Sequence, residues 1–508
     1  MHSSRHVLAT ITLFVLTAQA VAQPTDDFNE FRGLWVTRWD YSSGNASTIE
    51  TIMDNAASLG ITDVLFQVRG RSDAYYDSQV EPRAEALSGD WDPLDVAIDA
   101  AHERGMKLHA WINTMPLWRG TTLPSTTSDP AHTFYRTDPS FRVTDSDGVP
   151  QPLNTSYVIS NPVLPEWQSH VNQVADDIVR NYDVDGLHLD YIRWLGSTAY
   201  GNLPHDDYSH QLFADATGLD ADNPTNAGAY RQYIRDRITD LVRTVGQTVR
   251  EADPNVTLSA AVWRDPDVGS SQVLQEYETW LEDDLLDIVM PMIYLSPSNN
   301  DLLVPNLTNV LSIPTDARVA PGIGVYLHTN DNGGPEFTVE QLDTVYQMGA
   351  GGVTLFAYSS FFASGQLGID RQNAVKGYLD SIEPLNLGDM DINGVIDFDD
   401  IGAFVLGVTS SSSYESLYGI HPSVYGDTDR DGDIDFDDVD EFVTILVGET
   451  QTGDATAQRI AEPATSFLLV IGATFATLFR RPRAGPTGRP ELDAPTKRHG
   501  PSRAATLP

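Results

Sequence analysis

Between Phe31 and Tyr358, eight short apolar runs alternate with stretches of helical periodicity. That alternation constrains the fold more than any other feature, because a strand followed by a helix returns most readily to a parallel neighbour through a right-handed crossover. The runs lie at 32–38, 64–69, 108–113, 186–190, 258–263, 288–294, 319–326 and 352–358. Helix signals fill the gaps. Ser47-Thr48-Ile49-Glu50 has the form of a capping box with Gly60 as the stop, and Asp92-Pro93 starts a helix that Gly105 closes. Further helical patterns cover 165–182, 229–251, 271–286, 338–348 and 371–381. Eight βα units in roughly 350 residues predict an α/β fold, a (β/α)8 TIM barrel with enlarged loops. A doubly wound open sheet is the competing topology, but the sequence shows no Gly-rich phosphate loop to support it.

In a parallel barrel, chemistry gathers at the C-terminal ends of the strands. The stretch 183–193 is the most informative of these ends. Alternation puts Leu187 and Leu189 on a helix-covered face, and puts His188 and Asp190 together on the other. The same parity groups Gln67 with Arg69, and His109 with Trp111 and Asn113. It also groups Met290 with Met292 and Tyr294, and Phe356 with Tyr358. Trp263 ends the fifth run, with Arg264 and Asp265 in the loop beyond it. A mouth that is polar and aromatic together suits sugars, whose hydroxyls take the polar groups and whose C–H faces stack on indoles and phenols. The bland alternatives are a structural ion pair between Asp190 and Arg193, and tryptophans that only fill the core.

The net charge of −41 argues against nucleic acid and anionic membrane surfaces as partners. Arg5 and His6 precede an apolar run from Val7 to Leu16 and then Ala20-Val21-Ala22, the pattern of a secretory signal peptide, placed here at 1–22. The expected destination is outside the cell or in its envelope. An exported chain without cysteine has no disulfides, so its stability is expected from a large core, from metal ions, or from both.

Several motifs resemble the bacterial glycosyl hydrolase-like 10 family. Phe31-Arg32-Gly33-Leu34-Trp35-Val36-Thr37 is similar to its opening strand. Phe66-Gln67-Val68-Arg69, with Asp73-Ala74-Tyr75-Tyr76 and Glu81-Pro82, is similar to its second strand and loop. The run from His102 to Asn113, the stretch from Asp185 to Arg193, and Asp287 to Tyr294 resemble its third, fourth and sixth units. The resemblance covers about residues 28–380, and the barrel domain is expected at 28–384. It implies a barrel enzyme acting on glycans, with bacterial cell-wall polysaccharide as one kind of substrate. Glycoside cleavage usually needs one carboxyl group as acid and another as base or nucleophile. Asp190 is the first catalytic candidate. Asp73 ranks next because it lies within a motif of the resemblance, then Asp265, then Glu81. Gln67, Arg69, Glu81, His109, Trp111, Asn113, His188, Arg193, Trp263, Tyr294 and Tyr358 are expected to position substrate, and His188 as an imidazolium would lower the Asp190 pKa. Two alternatives stay open. One is a metal-dependent hydrolase or deacetylase built on His109, His188 and Asp190. The other is a catalytically silent glycan-binding barrel used in adhesion or scaffold assembly. No cofactor is expected for catalysis.

From Gly388 to Glu449 there are sixteen acidic residues against one arginine. They are spaced as calcium loops. Asp389, Asp391, Asn393, Asp397 and Asp400 supply oxygen donors at loop positions 1, 3, 5, 9 and 12, Val395 supplies a main-chain carbonyl at 7, and Gly394 permits the turn. Asp427, Asp429, Asp431, Asp433, Asp435 and Asp438 repeat the pattern around Gly432 after a Ser-rich connector. The duplicated loop, each copy with one following helix (401–406 and 439–447), resembles a dockerin. The segment 385–449 is therefore expected to be a small all-α EF-hand module that binds structural Ca2+, and the resemblance implies a cohesin-type partner. A linker at 450–461 leads to an apolar segment at 462–483 that resembles a PEP-CTERM sorting tail, the expected route to a membrane. Residues 484–508 read as disordered.

Overall fold

Strand formation follows the apolar runs closely, and two further strands arise where none is expected. In chain order they are β1 (Arg32–Val36), β2 (Asp63–Arg69), β3 (Lys107–Asn113), β4 (Pro116–Gly120), β5 (Asn154–Ile159), β6 (Gly186–Asp190), β7 (Thr257–Trp263), β8 (Ile288–Ile293), β9 (Arg318–Val319), β10 (Gly322–Gly324) and β11 (Val353–Phe356). The structure, a computed structural model, describes residues 27–194, 204–362, 365–382, 387–392, 395–418, 422–428, 434–436 and 438–449. The expected signal peptide, Asn393, Asp429, Asp431, Asp433 and the whole segment from 450 to 508 lie outside the described residues.

The main sheet is parallel, ordered β10-β11-β1-β2-β3-β6-β7-β8-β9, and it closes on itself through β10 and β8. Eight strand positions form a closed barrel, as expected. The seventh position is divided between β9 and β10 around Pro321, which has no N–H to donate to a ladder. The carbonyl of Pro321 still accepts from the Thr354 amide at 2.9 Å, which keeps the divided strand attached to β11.

Two apolar layers hold the barrel. Inside it, Trp35, Leu65, Trp111, Ala261, Met290 and Ala320 pack together. Outside it, residues such as Leu34, Val64, Leu108, Leu187, Leu189 and Val289 meet the surrounding helices. Each fully buried Leu, Val, Ile or Met contributes about 1.5–3 kcal/mol. A core of this size stabilises a domain that has no cysteine to cross-link it.

Among the helices around the barrel are Ala46–Ser58, Pro93–His102, Pro165–Asn181, Asp207–Thr217, Ala227–Ala252, Pro266–Val273, Tyr277–Glu282, Leu303–Leu311, Gly334–Gln347 and Gln366–Ser381. Asp92 caps its helix as expected, accepting from the Leu94 and Asp95 amides at 2.9 and 3.3 Å. Three expectations are corrected. The first helix is capped by Asn45, whose amide donates to Thr48 Oγ1 at 3.2 Å, while Glu50 pairs with Arg104 at 2.9 Å. The helical pattern at 271–286 is two short helices, because Leu274 takes a left-handed conformation (φ 53°) between them. The β4–β5 hairpin follows β3 and was not expected. Its strands pair with register shifts, so period-2 alternation is blurred in the sequence.

Beyond the barrel the chain is helical, at Asp400–Thr409, Ser411–Tyr418, Ser423–Gly426 and Val439–Glu449. Asp400 accepts from the amides of Asp391 (3.0 Å) and Asp397 (2.8 Å). Asp438 accepts from Thr428 (2.6 Å), one loop position earlier than Asp391 in the first copy, and from Asp435 (2.8 Å). Phe404 and Phe442, each four residues past its aspartate, stack at 4.0 Å and 9°. Each of these aspartates thus accepts from the amide three residues before it. Among the described residues no helix is long and apolar enough to cross a membrane.

Candidate active site

β6 is buried along its whole length. Its register with β3 pairs His109 with Gly186, Trp111 with His188, and Asn113 with Asp190, so the inward side chains form three layers. A strand climbs about 3.3 Å per residue, which separates successive layers by about 6.6 Å. Asp190 and Asn113 therefore sit in the top layer, His188 in the middle and His109 at the bottom. Gly186 is required at the bottom, because a Cβ there would come within 2.0 Å of His109 Nδ1.

The top layer opens into a cavity of about 390 Å³ lined by Asp190, Asn113, Gln67, Thr37, Arg193 and Arg264 and by an aromatic wall. The wall consists of Trp39, Trp111, Tyr157, Tyr191, Trp263, Tyr294 and Phe356, with Met292 beside them. Tyr294 and Phe356 stack on each other at 5.3 Å. Asp190 Oδ1 accepts from the Tyr191 amide at 2.6 Å and lies 3.4 Å from Arg193 Nη1. Burial pushes the Asp190 carboxyl above the ordinary aspartate range, and Arg193, the Tyr191 amide and the Trp111 indole only partly oppose that rise. Tyr191 has φ 52°, a left-handed conformation that costs a non-glycine residue energy and is common at functional sites. This backbone turn holds the Tyr191 amide on the carboxylate and brings its ring into the cavity. The Arg193 guanidinium lies 4.6 Å from the Tyr191 ring, which spreads its charge between an aromatic face and the acid.

The neighbouring amides are fixed by a relay. Arg38 Nη1 donates to Gln67 Oε1 (2.9 Å), Gln67 Nε2 to Asn113 Oδ1 (3.0 Å), and Asn113 Nδ2 to the Gly70 carbonyl (3.1 Å). Trp111 Nε1 also donates to Asn113 Oδ1 at 3.0 Å.

Of the residues singled out from the sequence, Gln67, Trp111, Asn113, Asp190, Arg193, Trp263 and Tyr294 meet in this cavity. The others are placed elsewhere. Glu81 is fully buried against Arg69 (2.7 Å to both Nε and Nη2) and His170 (2.8 Å). Burial pushes its carboxyl up, but Arg69 and His170 together hold it down at about 2. Arg69 is spent on this pair and on the Asn113 carbonyl, so it supports the β3 end rather than facing substrate. Asp73 is 2% exposed and accepts from both the Arg71 amide and Arg71 Nε. Asp265 caps helix Pro266–Val273 through the Val268 amide at 2.9 Å and takes Asn309 on its other oxygen. His109 pairs with Asp63 at 2.8 Å in the bottom layer. Tyr358 accepts from Asn55 outside the barrel, because β11 ends at Phe356 and the chain turns into a helix before parity could carry Tyr358 inward.

His188 is also corrected. Its Nε2 accepts from Trp35 Nε1 at 3.1 Å, so the proton is on Nδ1, which donates to Ser259 Oγ at 2.9 Å. Burial, helped by His109, drives its pKa far down. A neutral ring with both nitrogens engaged neither lowers the Asp190 pKa by charge nor offers a lone pair to a metal.

Thr37, Trp39, Tyr157 and Tyr191 line the cavity without having been singled out. Tyr191 directly follows Asp190, which is signal enough to have named it. Tyr157 arrives on β5, and nothing local in the sequence points to that.

The acidic module fits calcium in part on the described residues. Carboxylate oxygens of Asp389, Asp391 and Asp400 fall within 4.8 Å of one another, an all-oxygen donor set.

The sequence model described as Glycosyl hydrolase-like 10 matches residues 30–318, more than half of the chain. The chain is 27% identical over 351 residues to glycosyl hydrolase DigH of Escherichia coli (strain K12), covering 61% of this chain and 75% of that protein. It is 25% identical over 319 residues to glycosyl hydrolase YngK of Bacillus subtilis (strain 168), covering 56% and 58%. A similar solved structure is alpha-L-fucosidase isoenzyme 2 from Paenibacillus thiaminolyticus, at 14% identity and a TM-score of 0.48 over 69% of this chain. The chain spans about half (49%) of that one.

Proposed function

The chain belongs to the glycosyl hydrolase-like 10 family, and from that premise we propose that it is an exported glycoside hydrolase cleaving O-glycosidic bonds of a polysaccharide, with Asp190 as its general acid. One observation carries this. A buried carboxyl with a raised pKa stands in the floor of a cavity walled by seven aromatic rings. Such a group keeps its proton to higher pH than an exposed aspartate and can hand it to a departing glycosidic oxygen. The relay running through Gln67 and Asn113 presents fixed amides to sugar hydroxyls, while the rings take the apolar sugar faces. Arg193 and Arg264 make the cavity locally cationic in a chain of net charge −41, which favours a glycan that carries carboxylates. The N-terminal pattern supports export, and cell-wall polysaccharide is the substrate class to screen first.

A catalytically silent glycan-binding barrel is favoured by a different observation. Among the described residues Asp190 is the sole carboxylate lining the cavity, whereas a two-carboxylate mechanism needs a partner. Incubating the purified chain with peptidoglycan-derived and plant-type glycans, beside Asp190→Asn, separates the two. Product from the native chain and none from the variant supports the hydrolase. Equal glycan binding by both with no product from either supports the silent barrel.

We further propose that 385–449 is a dockerin-like calcium module with a cohesin-type partner, and that 462–483 is a sorting tail. The matching roles of Asp400 and Asp438 and the Phe404–Phe442 stack support the duplication. Asp389, Asp391 and Asp400 would hold the first ion, and Asp427, Asp435 and Asp438 would contribute to the second. Calcium supplies folding stability there rather than chemistry.

A further inference from the structure

We propose that His205, His210 and Asp222 form a binding site for a divalent cation of the zinc type in the insertion between β6 and β7. His205 precedes helix Asp207–Thr217, His210 lies in its first turns, and Asp222 follows the Gly218 cap. One donor atom from each residue falls within 4.8 Å of the other two, and His210 Nδ1 is 3.4 Å from Asp222 Oδ1. Donors on a tetrahedral ion about 2.0–2.1 Å away stand roughly 3.3 Å apart. One pair already has this spacing, and a small rotation of a side chain in a solvent-facing loop supplies the rest.

The two imidazoles have little other work. They meet edge-on at 5.6 Å, His210 Nε2 is buried without a hydrogen-bond partner among the described residues, and it is the main-chain amide of His205 that bonds, to the Thr144 carbonyl at 3.2 Å. Asp145, Asp206 and Asp222 surround His205 with negative charge. Two imidazoles and one carboxylate leave a position for water and suit a borderline cation, unlike the all-oxygen set of the C-terminal loops. The site would brace the cavity. The His205–Thr144 bond joins this insertion to the segment leading into β5, which carries Tyr157. This holds whether or not the barrel is a hydrolase.

The test uses the full-length chain stripped of transition metals and kept in saturating Ca2+, so that the acidic loops are occupied. Zn2+ is titrated by calorimetry and Co2+ by visible absorption. The expected result is one tight equivalent, the visible band of four-coordinate Co2+, and a Tm that rises with Zn2+. Asp222→Asn, His205→Gln and His210→Gln are each expected to weaken uptake about tenfold or more. If His210→Gln fails to fold, exposed Asp222 carries the test. A native chain that takes up no tight equivalent, or an Asp222→Asn variant that binds as the native chain does, overturns the site.

Discussion

Glu81 and Asp190 are both buried carboxylates with an arginine for a neighbour, yet their environments push them in opposite directions. Glu81 receives two short bonds from Arg69 and a third from His170, and its carboxyl is held at about 2. Asp190 receives one short amide bond and a guanidinium at 3.4 Å, and burial wins, raising its pKa. Proximity to an arginine does not decide what a carboxylate does. The number and geometry of hydrogen bonds that replace lost water decide it. Glu81 is a fastener that holds the loop after β2 to the helix Pro165–Asn181, which carries His170. Asp190 keeps a carboxyl raised above the ordinary aspartate range and faces the cavity.

The largest expected effect breaks the comparison on its reactive side. Asp190→Asn should lower kcat by about 10²–10⁴-fold, the usual contribution of a general acid, while glycan affinity holds, as measured by reducing-end release beside calorimetry. Retained turnover would place the chemistry elsewhere. On the structural side, Glu81→Gln leaves Arg69 buried without its counter-charge, which should cost about 3–5 kcal/mol in urea unfolding. The pH dependences then run oppositely. The stability from Glu81, whose pKa is depressed, is present above the ordinary glutamate value of about 4.3 and is lost as pH falls toward about 2. Any stability from Asp190, whose pKa is raised, is present below the ordinary aspartate value and is lost as pH rises through its folded value. Unfolding curves across acid pH for native and Glu81→Gln chains should therefore converge toward pH 2. Curves that stay parallel would mean that Glu81 is not the paired group.

A subtler change sharpens the Asp190 side. Arg193 lowers the Asp190 pKa, so Arg193→Ala should raise it further and move the alkaline limb of the kcat–pH profile to higher pH. A shift to lower pH would show that Arg193 acts otherwise. The smallest effect concerns Asp265. Asp265→Ala removes a helix cap and should cost about 1 kcal/mol of stability, with kcat/KM unchanged. A collapse of kcat/KM in a folded variant would make it the missing second carboxylate.

Much of the architecture is legible in local order. All eight barrel strands fall on the apolar runs, because strand formation and burial here depend on side chains adjacent in the chain. Asp190 was visible for the same reason, being an inward polar residue at the end of a short apolar strand. Less visible was height. Alternation assigns a residue to a face, but His109 and Asn113 share a face and lie about 13 Å apart along it, one pinned to Asp63 on the floor and the other at the cavity.

By itself, the order of residues determined the barrel, the candidate acid and the duplicated acidic loops, since each rests on a period or spacing within a few residues. Tertiary structure alone decided which carboxylates are spent. One partner of Glu81 is His170, 89 positions away, Asp265 is shared with Asn309, 44 away, and Tyr157 reaches the cavity on a hairpin. A carboxylate's proton affinity is set by everything within a few ångströms once water is removed, and residues distant along the chain become its neighbours only after folding.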